Sequence, residues 1–359
     1  MRIRAAVLRD PAEPFAVEDV DLHEPGPGEA LVRVVGAGMC HTDVTVRRRP
    51  HLPMPMIFGH EGSGVVEAVG PGVTRVRLGD HVVMSFDSCG WCAQCHTGAP
   101  AYCAQFMARN VSGARVDGSS GATDLTGAPV AARWFGQSSF ATHAVATERN
   151  LVVVDPALPL DLLGPLGCGL QTGAGAVLNS LSVRPGDRVA VFGTGAVGLA
   201  AVMAAKVAGA ADIVAVDLHP GRRALAAELG ATRVLDGADP ELAGAVGPVD
   251  HSFDTTAVAS VMTTAVAVLR PGGCCALVGA GGDELTLRPS ALAGRSLRFV
   301  IEGDAVPQRF VPRLIDLWRQ GRFPFERLIR TYPLDDIATA ERESADGTTV
   351  KPVLLPHHP

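Results

Sequence analysis

Two hydrophobic rhythms divide the chain. Up to about residue 155, apolar positions come in short, β-branched runs (EALVRVVGAG, GSGVVEAVG and GDHVVMSF). Pro25-Gly26-Pro27-Gly28, Gly70-Pro71-Gly72 and Gly-Asp pairs separate them. Short runs between such turn residues predict the strands of a β-rich unit. Residues 111–135 are rich in Gly, Ser and Ala and are expected to contain loop. From Arg188 the rhythm changes. RVAVFG predicts a strand, AVGLAAVMAAKVAGA a helix, DIVAVD a strand and GRRALAAELGA a helix, and VDHSFDTT, ASVMTTAVAVLRPGG and CCALVGA continue the alternation. This is the βαβ order of a doubly wound parallel sheet. After Leu297 the pattern mixes again, with VPRLIDLWRQG as an amphipathic helix and VKPVLL as a closing strand. No internal repeat interrupts this order.

Length and composition fit that division. A chain of 359 residues exceeds what one core usually serves, so two domains are expected. A hydrophobic share of 47% with 19% charged residues is that of a soluble globular protein. The net charge of -6 and the lack of a basic cluster argue against nucleic acid or an anionic membrane as partner. Arg47-Arg48-Arg49 reads as a solvated or ligand-facing loop. The N-terminus has no apolar signal core, and the longest apolar run, 189–205, is short for a bilayer span and broken by glycines. A cytoplasmic, reducing setting is therefore expected. There, eight cysteines point to metal binding or catalysis before disulfides.

Four of those cysteines form one cluster. CGWCAQCHTGAPAYC places Cys89, Cys92, Cys95 and Cys103 at C-x2-C-x2-C-x7-C spacing. Four thiolates can enclose a tetrahedral Zn²⁺ at roughly 2.3 Å and leave it no open position, so the site reads as structural. An iron–sulfur cluster is the alternative metal group, but the C-x2-C-x2-C-x3-C-P run is absent.

GTGAVG, Gly193 to Gly198, fits G-x-G-x-x-G, follows a strand and opens a helix, the context a dinucleotide site requires. Gly193 makes the turn, Gly195 lets a pyrophosphate approach, and Gly198 lets helix and strand pack. Asp217 ends the next strand, where a carboxylate accepts ribose hydroxyls and repels a 2′-phosphate, favouring NAD over NADP. Arg222 flanks the same place.

Cys40 in GMCHTD, His60 in FGHEG and Cys168 in LGCGLQTGAG are each flanked by glycine. Two Cys and one His form a catalytic zinc set with a free fourth position. Each residue alone has a bland reading, since a lone cysteine is ordinarily a small hydrophobe. Spacing does not establish that they converge. Cys274 and Cys275 read as packing residues, and His23 and His81 as structural or surface residues.

With GHEGSGVVEAVG, GDHVV, GCGLQTGAG, GTGAVG and the terminal VKPVL, the chain resembles the zinc-dependent medium-chain alcohol dehydrogenases over nearly its whole length. FGQSSFATHA, LLGPLGCGLQTGAGAVLN, FVPRLIDLWRQGRFPF and GTTVKPVL bring it nearest to the aryl-alcohol (benzyl alcohol) dehydrogenases. The resemblance implies a GroES-like β-barrel catalytic domain, residues 1–160 and 298–359, and a Rossmann NAD-binding domain, residues 161–297. It implies two Zn²⁺ per chain. Cys40, His60 and Cys168 would hold a catalytic ion in the cleft between the domains, and the four-cysteine lobe a structural one. Thr42 matches the hydroxyl residue beside the substrate oxygen. Asp43 and Glu61 match acids that support the ligands, Glu61 also as a transient ligand. His41 and Lys351 match residues near the cofactor pyrophosphate, and Thr172 one beside the nicotinamide. Trp134, Phe135 and Ser85 fall where the family lines its substrate pocket, though large aromatics also serve cores.

The activity so implied is reversible hydride transfer between NAD and an aryl or allylic primary alcohol, of benzyl alcohol or geraniol type, in a homodimer or homotetramer. A thiol-linked formaldehyde dehydrogenase acting on an S-hydroxymethyl adduct is the alternative enzyme, and Arg47–Arg49 and Arg115 keep it open. A zinc- and NAD-binding sensor or scaffold is the non-enzymatic one. One position departs from the family pattern. Many members carry a histidine three residues after the threonine to end the proton relay, and here that residue is Thr45. A hydroxyl is no base at neutral pH, so the final proton goes to solvent or ribose. Alcohol oxidation should therefore rise with pH without a histidine-like break. A pH–rate profile with a sharp pKa near histidine values that Thr45→His leaves unchanged would refute this.

Overall fold

The computed structural model describes residues 1–46, 52–279 and 283–357. Arg47–Arg49 lie outside them. The chain falls into two compact units, one of residues 1–168, 306–312 and 328–359, the other of residues 169–305 and 313–327.

The first unit is built from strands β1 (Arg2–Leu8), β2 (Ala16–Leu22), β3 (Glu29–Gly38), β4 (Met56–Ile57), β5 (Glu61–Val69), β6 (His81–Met84), β7 (Gly121–Thr123), β8 (Pro129–Ala131), β9 (His143–Thr147) and β10 (Leu151–Val154). The order β1-β2-β7-β8-β4 closes into a barrel. β7 and β8 come from the stretch expected to contain loop. They are three residues each, too short for their own hydrophobic pattern to announce them. β3 is the long central strand of the second sheet. It alternates buried and part-buried positions from Ala30 to Gly36 and pairs with both β5 and β9.

The second unit carries β11 (Arg188–Phe192), β12 (Asp212–Asp217), β13 (Arg233–Asp236), β14 (Val249–Asp254), β15 (Leu269–Leu277) and β16 (Ser296–Phe299). All five pairings are parallel, in the order β13-β12-β11-β14-β15-β16. That is the two-halved order of a dinucleotide-binding sheet, which reverses direction between β11 and β14. Phe192, Val214, Val249 and Cys275 fill its core, and burial pushes the Cys275 thiol up to about 12. The chain then returns through the helix Pro307–Arg319 and strands β17 (Ile329–Pro333) and β18 (Lys351–Leu355), and β18 pairs antiparallel with β3. No helix among the described residues is long and apolar enough to cross a membrane.

Residues 161–168 pack within the first unit. Two glycines explain this. A Cβ on Gly164 would fall 2.1 Å from the Glu61 carbonyl oxygen, and one on Gly167 2.0 Å from that of Met84. The segment lies against β5 and β6 because it has no side chains there.

Gly198 does the same for the nucleotide unit, since a Cβ there would meet the Gly193 carbonyl oxygen at 1.8 Å. Gly195 has no neighbour within 4 Å of its would-be Cβ. Gly198→Ala should therefore lose roughly 2–4 kcal/mol of stability in urea denaturation, while Gly195→Ala stays within about 0.5 kcal/mol of the parent.

Candidate metal centres and nucleotide site

At the end of β3 the chain turns through Met39 into one helical turn, His41–Thr45, with Cys40 as its N-cap. Asp43, three residues in, accepts the Cys40 backbone N–H on Oδ2 at 3.1 Å. Its carboxylate is fully buried, so it needs partners. Oδ1 receives the Gly59 N–H at 3.2 Å, His60 Nδ1 at 2.8 Å and Trp134 Nε1 at 2.9 Å. A carboxylate surrounded by donors can only accept, so His60 carries a proton on Nδ1, which leaves Nε2 as the nitrogen a metal can take. Nε2 is buried and has no hydrogen-bond partner among the described residues.

Beside that nitrogen stand the sulfurs of Cys40 and Cys168, the three atoms lying within 4.8 Å of one another. The fold thus brings together the three residues that spacing alone could not connect. An orphaned imidazole nitrogen facing two thiols suits Zn²⁺, which takes nitrogen and sulfur and at three protein ligands keeps one position open. Cys40 is held well below the ordinary thiol range, chiefly by the hydrogen bond with Cys168, with burial opposing and His60 assisting. Burial works against charge on His60, but the charge and hydrogen bond of Asp43 outweigh it and hold the ring well above its usual range. A metal that binds here displaces protons, as thiolate and imidazole ligation requires.

Glu61 faces a different partner. Lys351 Nζ donates to its carboxylate oxygens at 2.8 and 3.0 Å and to the Met39 carbonyl at 3.1 Å, all buried. Burial pushes the Glu61 carboxyl up while Lys351 pulls it down, and Glu61 in turn raises Lys351 against its own burial. Glu61 and the Met39 carbonyl hold the Lys351 ammonium in the interior. A buried ammonium is tolerable only against a buried anion, and Glu61 is that anion. Thr42 is part-buried on the Cys40 turn, and His41 and Thr45 are exposed. Thr45 donates its hydroxyl to the His41 carbonyl at 3.0 Å.

The three expected pocket residues are buried. Ser85 donates its hydroxyl to the Gly167 carbonyl at 2.6 Å, and Trp134 is 1% exposed with its N–H on Asp43. Both side chains hydrogen-bond within the interior. Phe135 stacks on the His60 ring, centroids 4.4 Å apart at 24°.

The four-cysteine lobe closes on itself. The sulfurs of Cys89 and Cys95, Cys92 and Cys95, and Cys92 and Cys103 lie 3.9, 3.6 and 4.0 Å apart. These are too long for disulfides, but a tetrahedron with 2.3 Å arms has edges of roughly 3.8 Å. Backbone N–H groups of Cys89, Cys92 and Gln105 donate to the sulfurs at 3.2 to 3.4 Å. Such donors favour thiolate. All four sulfurs lie within 4.8 Å of one another.

In the parallel sheet Gly193 takes φ +84° at the end of β11, a left-handed turn that suits glycine. Asp217 closes β12, its Oδ2 accepting the Thr194 N–H at 2.7 Å and its Oδ1 the His219 N–H at 2.8 Å. Arg222 Nε is shut from solvent and has no partner among the described residues. Thr172 is part-buried on the helix Gly169–Gly175.

Residues 26–156 match the family model of the alcohol dehydrogenase GroES-like domain, and residues 196–318 that of the zinc-binding dehydrogenases. A geraniol dehydrogenase of Castellaniella defragrans is 47% identical, over 98% of this chain and 97% of that protein. This chain belongs to the zinc-dependent medium-chain alcohol dehydrogenases. A solved alcohol dehydrogenase zinc-binding domain protein from Burkholderia ambifaria is 47% identical with a TM-score of 0.96, covering 99% of this chain and 100% of that one. Benzyl alcohol dehydrogenase from Acinetobacter calcoaceticus is 41% identical with a TM-score of 0.94, covering 99% of both chains. S-(hydroxymethyl)glutathione dehydrogenase of Paracoccus denitrificans is 33% identical over 99% of this chain and all of that one.

Sequence reasoning missed two supports of this dehydrogenase. One is Gln137, which donates to the His60 and Ser85 carbonyls at 3.0 and 3.1 Å and accepts the Gly62 N–H at 3.0 Å. The other is the Lys351–Glu61 pair, whose only local signal was rarity, Lys351 being one of two lysines. Lys351→Met removes the cation facing a buried carboxylate and should cost the dehydrogenase about 3–5 kcal/mol. Adding Glu61→Gln should restore most of that loss in thermal denaturation. Equal stability of Lys351→Met and parent would refute the pairing.

Proposed function

We propose that the dehydrogenase oxidises aryl and allylic primary alcohols to aldehydes with NAD⁺, reversibly. The observation that carries this is the trio Cys40, His60 and Cys168 with its orphaned imidazole nitrogen, beside a four-thiol set that can close on its own ion. Cys40, His60 and Cys168 would hold the catalytic zinc, and Cys89, Cys92, Cys95 and Cys103 the structural one. When bound in an open site, zinc supplies Lewis acidity that brings an alcohol hydroxyl toward ionisation at neutral pH. Asp43 keeps His60 in the tautomer that can ligate. The Thr42 hydroxyl, two residues from Cys40, takes the alcohol proton and passes it outward. Thr45 does not continue that path, because its proton is given to a backbone carbonyl.

Gly193, Gly195 and Gly198 would seat the pyrophosphate, and Asp217 the ribose hydroxyls, with Arg222 and Thr172 beside the cofactor. The Asp217 carboxylate supports NAD over NADP. The similarity to geraniol and benzyl alcohol dehydrogenases supports the alcohol class. Arg115, which kept the thiol-adduct alternative open, is occupied by Glu29 at 3.0 Å and has little left to offer a substrate carboxylate. A homodimer fits β16, which ends the parallel sheet and exposes Phe299 to 58%. The thiol ligands suit a cytoplasmic, reducing setting.

Zinc-loaded protein with NAD⁺ should reduce the cofactor at least tenfold faster per unit concentration with benzyl alcohol or geraniol than with ethanol. Absorbance of the reduced nicotinamide reads the rates side by side. Ethanol as the best substrate would overturn the alcohol class. Turnover only of formaldehyde with a cellular thiol would establish the alternative.

A further inference from the structure

We infer that Trp134 is a positioning residue of the catalytic zinc site, acting through Asp43 on His60, and is not a wall of the substrate pocket. The inference rests on the zinc reading of Cys40, His60 and Cys168. Its starting point is the crowding on one oxygen. Asp43 Oδ1 takes His60 Nδ1 at 2.8 Å, the Trp134 indole N–H at 2.9 Å and the Gly59 N–H at 3.2 Å, with Asp43, His60 and Trp134 all buried. Cys40, His60 and Asp43 belong to neighbouring stretches of chain. The indole comes from a residue 91 positions further on. It is the long-range strut of the group.

The local backbone is bent to place it. Phe135 adopts φ 48° and ψ 36°, a left-handed conformation that is strained for a large side chain and is commonly kept at functional sites. The bend is fastened on both sides. Ser138 Oγ receives the Trp134 N–H at 2.8 Å and donates to the Ile57 carbonyl at 2.7 Å, and Asn150 donates to the Phe135 carbonyl at 2.9 Å. Consecutive side chains of an extended strand would diverge to opposite faces. Here both serve His60. The Phe135 ring stacks on the imidazole, and the Trp134 indole meets it edge-on at 6.3 Å while holding its carboxylate partner. Trp134 also packs against Phe58 at 5.2 Å and is 1% exposed, which leaves it no surface to present to an alcohol.

Groups that orient a metal-bound histidine govern metal retention as well as rate. Trp134→Phe keeps an aromatic core residue and deletes only the N–H and part of the ring. The test is release of zinc from the fully loaded enzyme into a chromogenic chelator, where the four-thiol lobe serves as internal reference. With the indole N–H gone, release from the three-ligand site should quicken by about tenfold. The four-thiol phase should stay unchanged, and Trp134→His, which returns a ring N–H, should slow release again. The ratio of kcat/KM for benzyl alcohol over ethanol should stay within about twofold of the parent, against the 10- to 200-fold swing a lost pocket contact can bring. Unchanged release from both sites, or equal quickening of both, would overturn the inference, as would a collapsed alcohol preference with zinc retention intact. A parent enzyme holding fewer than two zinc ions per chain would sink the zinc reading instead, and metal analysis before the release experiment separates the two failures.

Discussion

A buried carboxylate must find enough donors to offset the water it has left, and the centre of this enzyme is organised around one that does. Asp43 receives four N–H groups, from Cys40, Gly59, His60 and Trp134. Each fixes something the chemistry needs. The bond to Cys40 shapes the turn that presents the sulfur. The bond to Gly59 seats a residue at φ +90° whose Cβ would otherwise strike the Phe140 backbone. The bond to His60 chooses the tautomer. Leaving such an acceptor partly unsatisfied costs about 1–3 kcal/mol, so these four groups hold one another in register.

Charge sets the second constraint. Two thiols, Asp43 and Glu61 lie close together in a dry region, and Lys351 is the cation the chain places against them. It arrives on β18, which pairs with β3, the strand that leads into Cys40. The C-terminal strand therefore completes the site electrostatically as well as completing the sheet. Lysine suits this role because one ammonium reaches both Glu61 oxygens and the Met39 carbonyl. A buried pair of this kind contributes little net stability against an apolar substitute, yet becomes costly once one member is lost.

What the sequence disclosed follows from the range of the interactions. The βαβ alternation, the G-x-G-x-x-G turn and the four-cysteine lobe are local patterns, and they were legible without the fold. Cys40, His60 and Cys168 could be named as candidates, but their convergence depends on β3, β5 and the segment before Cys168 packing together. β13 and β16 were not anticipated because neither buries a full face. β13 alternates part-buried with exposed, and three of the four residues of β16 are exposed. The bonds that hold Trp134, Ser85 and Lys351 were not legible either. Each is held by a partner 82 to 290 residues distant. No periodicity carries that information.

The four-cysteine lobe and the segment that carries His60 share an anchor. Asp87, two residues before Cys89, accepts from Arg109 at 3.0 Å and Thr147 at 2.9 Å, and its backbone is bound to Asn110 at both ends. Thr147 also bonds Asn150, whose amide donates to the Ser85 carbonyl. That same carbonyl takes a second bond from Gln137, which holds the His60 carbonyl with the same nitrogen. The root of the four-thiol lobe and the backbone of His60 are thus fixed to one buried polar network. Such networks rigidify when every member is satisfied and loosen when one is not. Through Asn150 and Gln137 this network joins Asp87 to the backbone of His60, so neither segment is fixed by its local sequence alone.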